Sequence, residues 1–356
     1  MRHNNFDALR LVAALMVVHG HGWMLAGGPV AGLWNLPFHH VGLDIFFSIS
    51  GYLVTGSWQR DPRFRDFLLK RALRILPGLA ACVLVTVLVL GPAVTVMPVL
   101  SYLSSGLTWL YLTNMGFLLQ LRLPGVFGHA GPDDAVNGSL WSLMPEFCCY
   151  LTVPLLALLQ GRTRHAALLA LAAVAGGISI VLFHGHVRPW PLVWNIDPKY
   201  ALAEVPFFAV GGLYFLLEDR LVRAGRADGL WRTDLCLTFL IGNYVFSGWF
   251  GWGNLPFEWL TLPYLVISFG RMSLPVLRRA GRFGDASYGV YLYAFPIQQL
   301  VLEKLPGDRF PVVTCAILSI AAGLVSWHLV ERPALRLASR LVRRPRLGLL
   351  PAGTAA

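Results

Sequence analysis

Charged residues are scarce in this sequence. Asp, Glu, Lys and Arg make up 13% of its 356 residues, about half of the share that is usual in soluble domains, while 56% are hydrophobic and the mean hydropathy is +0.60. The apolar residues form several runs of about 17–25 residues, the length that an α-helix needs to cross a bilayer. These features exclude an ordinary soluble domain and predict an all-α integral membrane protein.

Several other signals are also missing. The first apolar run lacks the Ala-x-Ala cleavage site of a secretory signal peptide, so we expect it to stay in the protein. We find no internal repeat, low-complexity segment or separate soluble domain. The cysteines have neither the spacing of a metal site nor that of a disulfide framework, which predicts packing thiols and no metal. All of them fall inside or beside apolar runs: Cys82, Cys148, Cys149, Cys236 and Cys315.

We predict about ten transmembrane helices. The apolar runs lie at about 8–27, 41–57, 76–98, 140–160, 165–184, 200–217, 233–250, 255–272, 286–304 and 311–330. The segment 100–121 is ambiguous, because it is long enough to cross but rich in hydroxyl and amide groups. Those groups belong to Ser104, Ser105, Thr108, Thr113 and Asn114.

The distribution of cations decides how that segment is placed. With ten spans and the N-terminus inside, 24 of the 29 lysines and arginines fall on the cytoplasmic side. If 100–121 also crossed, 13 would lie inside and 16 outside. The positive-inside rule therefore predicts that 100–121 is re-entrant or lies on the outer face, and that both termini are cytoplasmic. The net charge of +11 then reflects cytoplasmic loops and not nucleic-acid binding. We expect a multi-pass protein of the inner (plasma) membrane, with one membrane domain at 1–337 and a basic, partly disordered tail at 338–356.

The first span carries two ionisable residues on one helical face. Arg10 and His21 are eleven positions apart, about three turns and roughly 16 Å along the axis. A histidine within an apolar span is costly, which makes His21 a candidate general base, although a neighbouring helix that satisfies it is the alternative. The assumed topology brings Asp44 and Glu146 to a similar depth, so either carboxylate is expected to orient His21 unless it pairs with a loop cation.

The cytoplasmic end carries a second candidate site. Arg71 and Arg74 lie three apart, on one face of a helix, and Arg10 lies at the inner end of the first span. Guanidinium groups at this spacing suit phosphate binding, although topology anchoring is the simpler explanation for most of these cations. One face of the first span thus connects a predicted phosphate site with a base, as transfer from a cytoplasmic phosphate-bearing donor to an acceptor on the far side requires.

Six motifs, in order, resemble those of the membrane-bound acyltransferase-3 family. They are FDALRLVAALMVVHGH (6–21), VGLDIFFSISGYL (41–53), FLLKRALRILP (67–77), NGSLWSLMPEFCCYL (137–151), GDASYGVYLYAFPIQ (284–298) and LVERPALRL (329–337). One departure is Ala294, where many members of the family have a histidine before Phe-Pro.

The resemblance implies an O-acyltransferase that uses acyl-CoA, by default acetyl-CoA, and no metal. Its acceptor would be a hydroxyl of a saccharide or lipid-linked glycan. His21, Glu146 and Asp44 would be catalytic, Arg10, Arg71, Arg74 and Tyr288 would bind the donor, and Trp141, Ser142 and Asn137 the acceptor. The alternative is a transporter or flippase of a lipid-linked or acylated molecule, although its usual inverted repeats are not evident here.

Overall fold

The computed structural model describes residues 4–127, 135–184, 192–226, 230–250, 255–305 and 311–342. In this part of the chain, ten long helical stretches account for the ten predicted spans, and short helices lie between them. The α-helices are α1 (Phe6–Leu25), α2 (Phe38–Arg60), α3 (Phe64–Val85), α4 (Gly91–Val94), α5 (Val99–Ser104), α6 (Gly106–Leu110), α7 (Leu143–Leu156), α8 (Gly161–His184), α9 (Pro198–Arg223), α10 (Thr233–Phe250), α11 (Leu255–Arg271), α12 (Ser287–Lys304), α13 (Pro311–Ser326) and α14 (Arg332–Leu341). The π-helical turns are Thr86–Leu90 and Trp327–Glu331, and the 3₁₀ turns are Tyr111–Gly116, Gly138–Ser142 and Leu277–Phe283.

The all-α membrane class is confirmed. Six helical stretches of the described chain are long and apolar enough to cross a membrane. Their outward faces carry large apolar side chains such as Val181 (59% exposed) and Ile317 (62%), which only a lipid environment would cover. The count of ten spans and the cytoplasmic side of both termini stay predictions, and most of the predicted tail, from residue 343, lies outside the described residues.

The ambiguous segment is broken into short pieces. α5 has 6 residues, α6 has 5, and the extended backbone of Ser105 separates them before the 3₁₀ turn begins at Tyr111. The side chain of Asn114 then binds the carbonyls of Tyr111 and Gln120, which closes the segment on itself. No straight helix of about 20 residues runs through it, which agrees with a segment that does not cross as one span.

The third helix begins earlier than we predicted. α3 starts at Phe64, whereas the apolar run starts at about 76. Arg63 is extended and Asp66 lies in the first turn, where a negative charge favours the start of a helix. The basic segment is therefore helical and continuous with the span, and Arg71 and Arg74 lie one turn apart on it.

Small residues let α2 approach two neighbours closely. A Cβ on Gly42 would lie 2.6 Å from the carbonyl oxygen of Ala13 on α1. A Cβ on Gly51 would overlap the carbonyl of Phe208 on α9. α1 in turn packs against α12 and α13, and α9 against α8. α2 therefore joins two halves of the bundle.

A small hairpin departs from the all-α prediction. β1 (Gly32–Leu33) pairs antiparallel with β2 (Leu36–Pro37) just before α2. Trp34 and Asn35 both have positive φ (52° and 66°), the conformation of a type I′ turn, and Asn35 donates to the carbonyl of Ser247 at 2.6 Å. That amide hydrogen bond holds a turn that the sequence pattern does not predict.

Candidate active site

Three arginines from two helices meet between two cavities. Arg10 of α1 and Arg71 and Arg74 of α3 line two cavities, of which the first is basic and the second is more apolar. We call the first the vestibule, with about 1530 Å³ of empty space, and the second the inner cavity, with about 730 Å³. The convergence predicted from the sequence is therefore present in the structure.

Arg10 and Arg74 are held by carboxylates. Asp285, which precedes α12, lies 2.5 Å from Arg74 and 3.6 Å from Arg10, and Asp7 lies 3.4 Å from Arg10. Burial acts to raise the pKa of Asp285, but the charges of Arg74 and Arg10, with a hydrogen bond from Ser287, hold that pKa below its ordinary value. These two guanidinium groups are therefore fixed in place and largely neutralised.

Arg71 has no such partner. Among the described residues no carboxylate lies within 4 Å of its guanidinium, and its Nε is buried without a hydrogen bond. Its closest described contact is the ring of Tyr150, whose centre lies 5.9 Å away. A buried, unpaired cation is costly, so this position favours an anionic ligand.

The vestibule around it carries an excess of cations. Five cationic and three acidic side chains line it. Hydrogen bonds from Arg63 and Lys70 hold the pKa of Asp61 below its ordinary value, so this carboxylate stays charged and is already paired. The vestibule is thus suited to a multiply charged anion such as a phosphate. The lining side chains are Asp7, Arg10, Arg60, Asp61, Lys70, Arg71, Arg74, Gly281, Asp285, Trp327, Leu335, Ala338, Ser339 and Val342.

Glu146 of α7 is an acidic group of the inner cavity. Its Oε1 accepts hydrogen bonds from Ser50 (2.7 Å) and Tyr150 (2.5 Å). Two donors on one oxygen hold the carboxylate in place. The remaining lining is mostly apolar and comes from α2, α3, α12 and the start of α7: Leu43, Phe46, Phe47, Leu53, Val54, Ile75, Leu143, Tyr288 and Tyr291, with Ser142 and Ser287.

Tyr288 and Ser142 lie at the walls of the inner cavity, but their hydroxyls have protein partners. Tyr288 donates to the carbonyl of Ile75 at 2.8 Å, and Arg74 lies over its ring, 5.9 Å from the centre. Ser142 lies 2.6 Å from the hydroxyl of Tyr291, which donates to the carbonyl of Ser139. Tyr288 therefore offers its ring, and Ser142 one oxygen, to a bound molecule.

Asn137 and Trp141 lie away from that cavity. Asn137 is fully buried, caps the 3₁₀ turn Gly138–Ser142, and donates to the carbonyl of Leu292 at 2.9 Å. Its amide is committed to joining that turn to α12. The ring of Trp141 lies 5.9 Å from that of Tyr200, so a pair of aromatic faces is present on this side.

His21 and Arg10 both face the α12 side of α1, as their spacing predicts. Asp285, just before α12, pairs with Arg10, while the ring of Phe295 on α12 lies 5.3 Å from that of His21. His21 is 9% exposed, and its other ring neighbour is His39, at 5.0 Å. Phe295 lies one turn beyond Tyr291, which lines the inner cavity, whereas neither Phe295 nor His21 is among the lining residues.

The structure does not bring Asp44 or Glu146 to His21. Among the described residues, no hydrogen bond or ion pair joins either carboxylate to that ring. Asp44 faces another side of α2, where it lines a different cavity together with Glu204 of α9. Similar depth in the membrane was the basis of our expectation, and the rotation of α2 and α7 separates these groups.

Asp44 and Glu204 line a third cavity, which we call the carboxyl cavity. It has about 640 Å³ of empty space between α2, α8, α9 and α11. Its lining combines aromatic and polar side chains: Leu36, His40, Asp44, Ser179, Phe183, Tyr200, Ala203, Glu204, Phe207 and Trp259. In the described part of the chain, no group of three or more His, Cys, Asp or Glu has the arrangement of a metal site.

The sequence contains signals for residues that we did not assign. Glu204 and Glu258 are acids inside predicted spans, where burial alone marks them as candidates, and Glu258 is 1% exposed. Glu331 is also 1% exposed, and it accepts from Ser326 at 3.0 Å beside Arg74. Ala294, the departure from the family motif, packs in an apolar cluster with Ala14 and Val18 of α1.

Together the helices and cavities define a multi-pass membrane protein with a basic vestibule that opens into an apolar cavity containing a carboxylate. The comparison with families makes this specific: the model of the family described as "Acyltransferase domain" matches residues 3–330. The chain belongs to this acyltransferase-3 family and is a membrane O-acetyltransferase.

Relatives with known names extend over nearly the whole chain. An "O-acetyl transferase" of Shigella phage Sf6 is 30% identical over 352 residues, covering 93% of this chain and 96% of the relative. "Nodulation protein 10" of Rhizobium leguminosarum bv. viciae is 31% identical over 369 residues, covering 96% and 95%. A "putative peptidoglycan O-acetyltransferase" of Bacillus subtilis is 25% identical, covering 92% of this chain and 54% of the relative. No solved structure gives a significant match.

Proposed function

We propose that this protein transfers an acetyl group from cytoplasmic acetyl-CoA to a hydroxyl of a saccharide or lipid-linked glycan at the outer side of the inner membrane. The observation that supports this most directly is the unpaired guanidinium of Arg71 at the junction of the vestibule and the inner cavity. A polyanionic donor with an uncharged arm fits these two spaces in that order.

The donor's phosphates would bind in the vestibule. Arg71 would supply the free charge, while Arg10 and Arg74, held by Asp285, would supply fixed hydrogen-bond donors. The uncharged arm and the acetyl group would extend between the apolar side chains of the inner cavity, past the ring of Tyr288 towards Glu146.

The acceptor would react at His21. We propose that this imidazole takes the proton of the acceptor hydroxyl, which then attacks the thioester carbonyl. Glu146 would act as the acid–base group of the donor's cavity. Ser142 and the aromatic pair of Trp141 with Tyr200 would contact the acceptor, since aromatic faces stack on sugar rings. The name of the phage relative supports O-acetylation, and the name of the Bacillus relative supports a glycan acceptor.

The proposal is tested with the purified full-length protein in liposomes. Acetyl-CoA binding is measured by calorimetry, and turnover with radiolabelled donor and a panel of bacterial glycans. We expect Arg71→Ala to weaken donor binding about tenfold or more, because one charge-assisted phosphate contact is lost, and Arg71→Lys to restore part of it. Arg223→Ala is the matched control, since this arginine is 73% exposed and pairs with Asp219.

His21→Ala separates binding from chemistry. We expect it to bind acetyl-CoA with unchanged affinity and to transfer acetyl about 10²-fold or more slowly. Normal transfer by His21→Ala would contradict the role of His21. Unchanged donor affinity in Arg71→Ala would contradict the assignment of the vestibule.

A further inference from the structure

Three histidines form a row from α1 across α2. The ring of His21 lies 5.0 Å from that of His39, and the ring of His39 lies 4.5 Å from that of His40. Gly20 makes this possible, since a Cβ there would lie 2.6 Å from Nδ1 of His39. Among the described residues no hydrogen bond joins these rings, and Nδ1 of His39 is buried without a partner. A proton that moves along the row therefore needs one bridging water or a rotation of the His39 ring, and centre-to-centre distances of this size permit either.

The row passes from one face of α2 to another. His39 continues the stripe of Leu43, Phe46 and Ser50, which faces the inner cavity. His40 lies one turn before Asp44, and both line the carboxyl cavity. Two consecutive residues, His39 and His40, therefore connect the surroundings of His21 with a space that borders another side of α2.

That space ends in a pair of carboxyl groups. Asp44 (4% exposed) and Glu204 (2% exposed) line the same cavity, and Oε2 of Glu204 is buried without a partner. Two carboxyl groups buried in one cavity are costly to ionise together, because each charge is desolvated and repels the other, so such a pair is suited to hold a proton. Two other ionisable side chains lie near these groups. Glu258 is close enough to Asp44 for their charges to interact, and the ring of Tyr200 lies 6.5 Å from that of His40.

We propose that His39, His40 and the Asp44–Glu204 pair form a proton relay that carries away the proton taken up by His21. Chains of His, Asp and Glu inside a membrane domain are typical of proton relays. This inference rests on the proposed function, in which His21 is the base. It assigns to Asp44 a role that needs no contact with His21.

The relay completes the balance of the reaction. The hydroxyl proton passes to His21 as the new carbon–oxygen bond forms and the carbon–sulfur bond of the donor breaks. The CoA thiolate forms in the inner cavity and takes a proton from water, which gives free CoA. The proton on His21 passes through His39 and His40 to the carboxyl pair, and from there to water, so that His21 is neutral again for the next acceptor.

Chemical rescue distinguishes a relay from a packing role. His39→Ala and His40→Ala each leave a ring-sized space, which free imidazole fills as a mobile proton carrier. We expect acetyl transfer to fall about tenfold or more in each variant, acetyl-CoA affinity to stay unchanged, and millimolar imidazole to restore part of the rate. The wild-type rate should not change with imidazole.

His19→Ala is the matched control. Its ring also lies among aromatic side chains, 5.3 Å from Phe38 and 6.4 Å from Trp23, but outside the row. We expect this variant to transfer acetyl at the wild-type rate with and without imidazole. Glu204→Gln, which keeps the shape of the side chain, should slow transfer without being rescued.

Two outcomes would overturn the relay. One is a wild-type rate in both His39→Ala and His40→Ala. The other is a loss of rate that imidazole does not restore and that is accompanied by a lower unfolding temperature, which would mean packing. Failure of the proposed function has a different signature, because wild type would then transfer no acetyl or His21→Ala would be as active as wild type.

Discussion

At the scale of single residues, charge pairing separates side chains that look alike in the sequence. Arg71 and Arg74 lie three positions apart. Asp285 forms an ion pair with Arg74, whereas no carboxylate of the described residues pairs with Arg71. Asp285 also binds Arg10, so one carboxylate fixes two of the three guanidinium groups. The vestibule therefore combines two fixed guanidinium groups with the unpaired guanidinium of Arg71, an arrangement that favours an anion over further protein contacts.

Glu146 permits a test at the same scale. Glu146→Gln keeps the size of the side chain and its hydrogen bonds to Ser50 and Tyr150 but removes the negative charge from the inner cavity. We expect acetyl transfer to fall about 10²-fold or more, because a charged acid–base group is lost, while acetyl-CoA affinity stays nearly unchanged. Steady-state transfer and calorimetric binding on one preparation measure both quantities.

Two further variants serve as controls for Glu146→Gln. Tyr150→Phe removes one of the two donors to the carboxylate and should slow transfer less. Glu303→Gln changes an exposed acid of α12 that pairs with Lys304, and should transfer at the wild-type rate. A full rate in Glu146→Gln would show that its charge has no part in the chemistry.

At the scale of elements, the rotation of a helix decides what its residues can reach. The stripe of Leu43, Phe46 and Ser50 on α2 faces the inner cavity, while Asp44 is turned about 100° away, towards Glu204. Our expectation that Asp44 would orient His21 used depth alone. Depth follows from the length of a span, but rotation follows from packing, and here glycines at the α1–α2 and α2–α9 contacts determine it.

Gly51 is the test of that packing. An Ala at this position would push its methyl group into the carbonyl of Phe208, so α2 and α9 would have to separate. We expect Gly51→Ala to lower the free energy of unfolding by about 1–3 kcal/mol, the usual cost of overpacking. Thermal unfolding of the purified protein in detergent measures the change.

Gly177→Ala is the control, because nothing lies within 4 Å of the added methyl group on α8. It should leave stability unchanged or raise it slightly, since alanine favours a helix more than glycine. Equal unfolding temperatures for the two variants would contradict the close contact between α2 and α9.

At the scale of the whole molecule, the sequence predicts more of the fold than of the contacts. Long apolar runs identify the helices, because a membrane span needs a fixed length. The spacing of Arg10 with His21 and of Arg71 with Arg74 predicts shared faces, and the structure has them. The contacts of Glu146 with Ser50 and of His21 with His39 join different helices, and no spacing within one helix encodes them.

Cysteine labelling measures the membrane topology of the protein. In a variant without the five native cysteines, Ser104→Cys would report the segment between α4 and the 3₁₀ turn at Tyr111, and Arg226→Cys the end of α9. Both positions are exposed. We expect a membrane-impermeant maleimide to label Ser104→Cys in intact cells, and Arg226→Cys only after permeabilisation. The reason is electrostatic: this topology puts 24 of the 29 lysines and arginines on the cytoplasmic side. Labelling of Arg226→Cys from outside would mean that the segment at 100–121 crosses the membrane. The helices after it, including α9, would then have the opposite orientation, and the position of the carboxyl cavity relative to the two membrane surfaces would have to be revised.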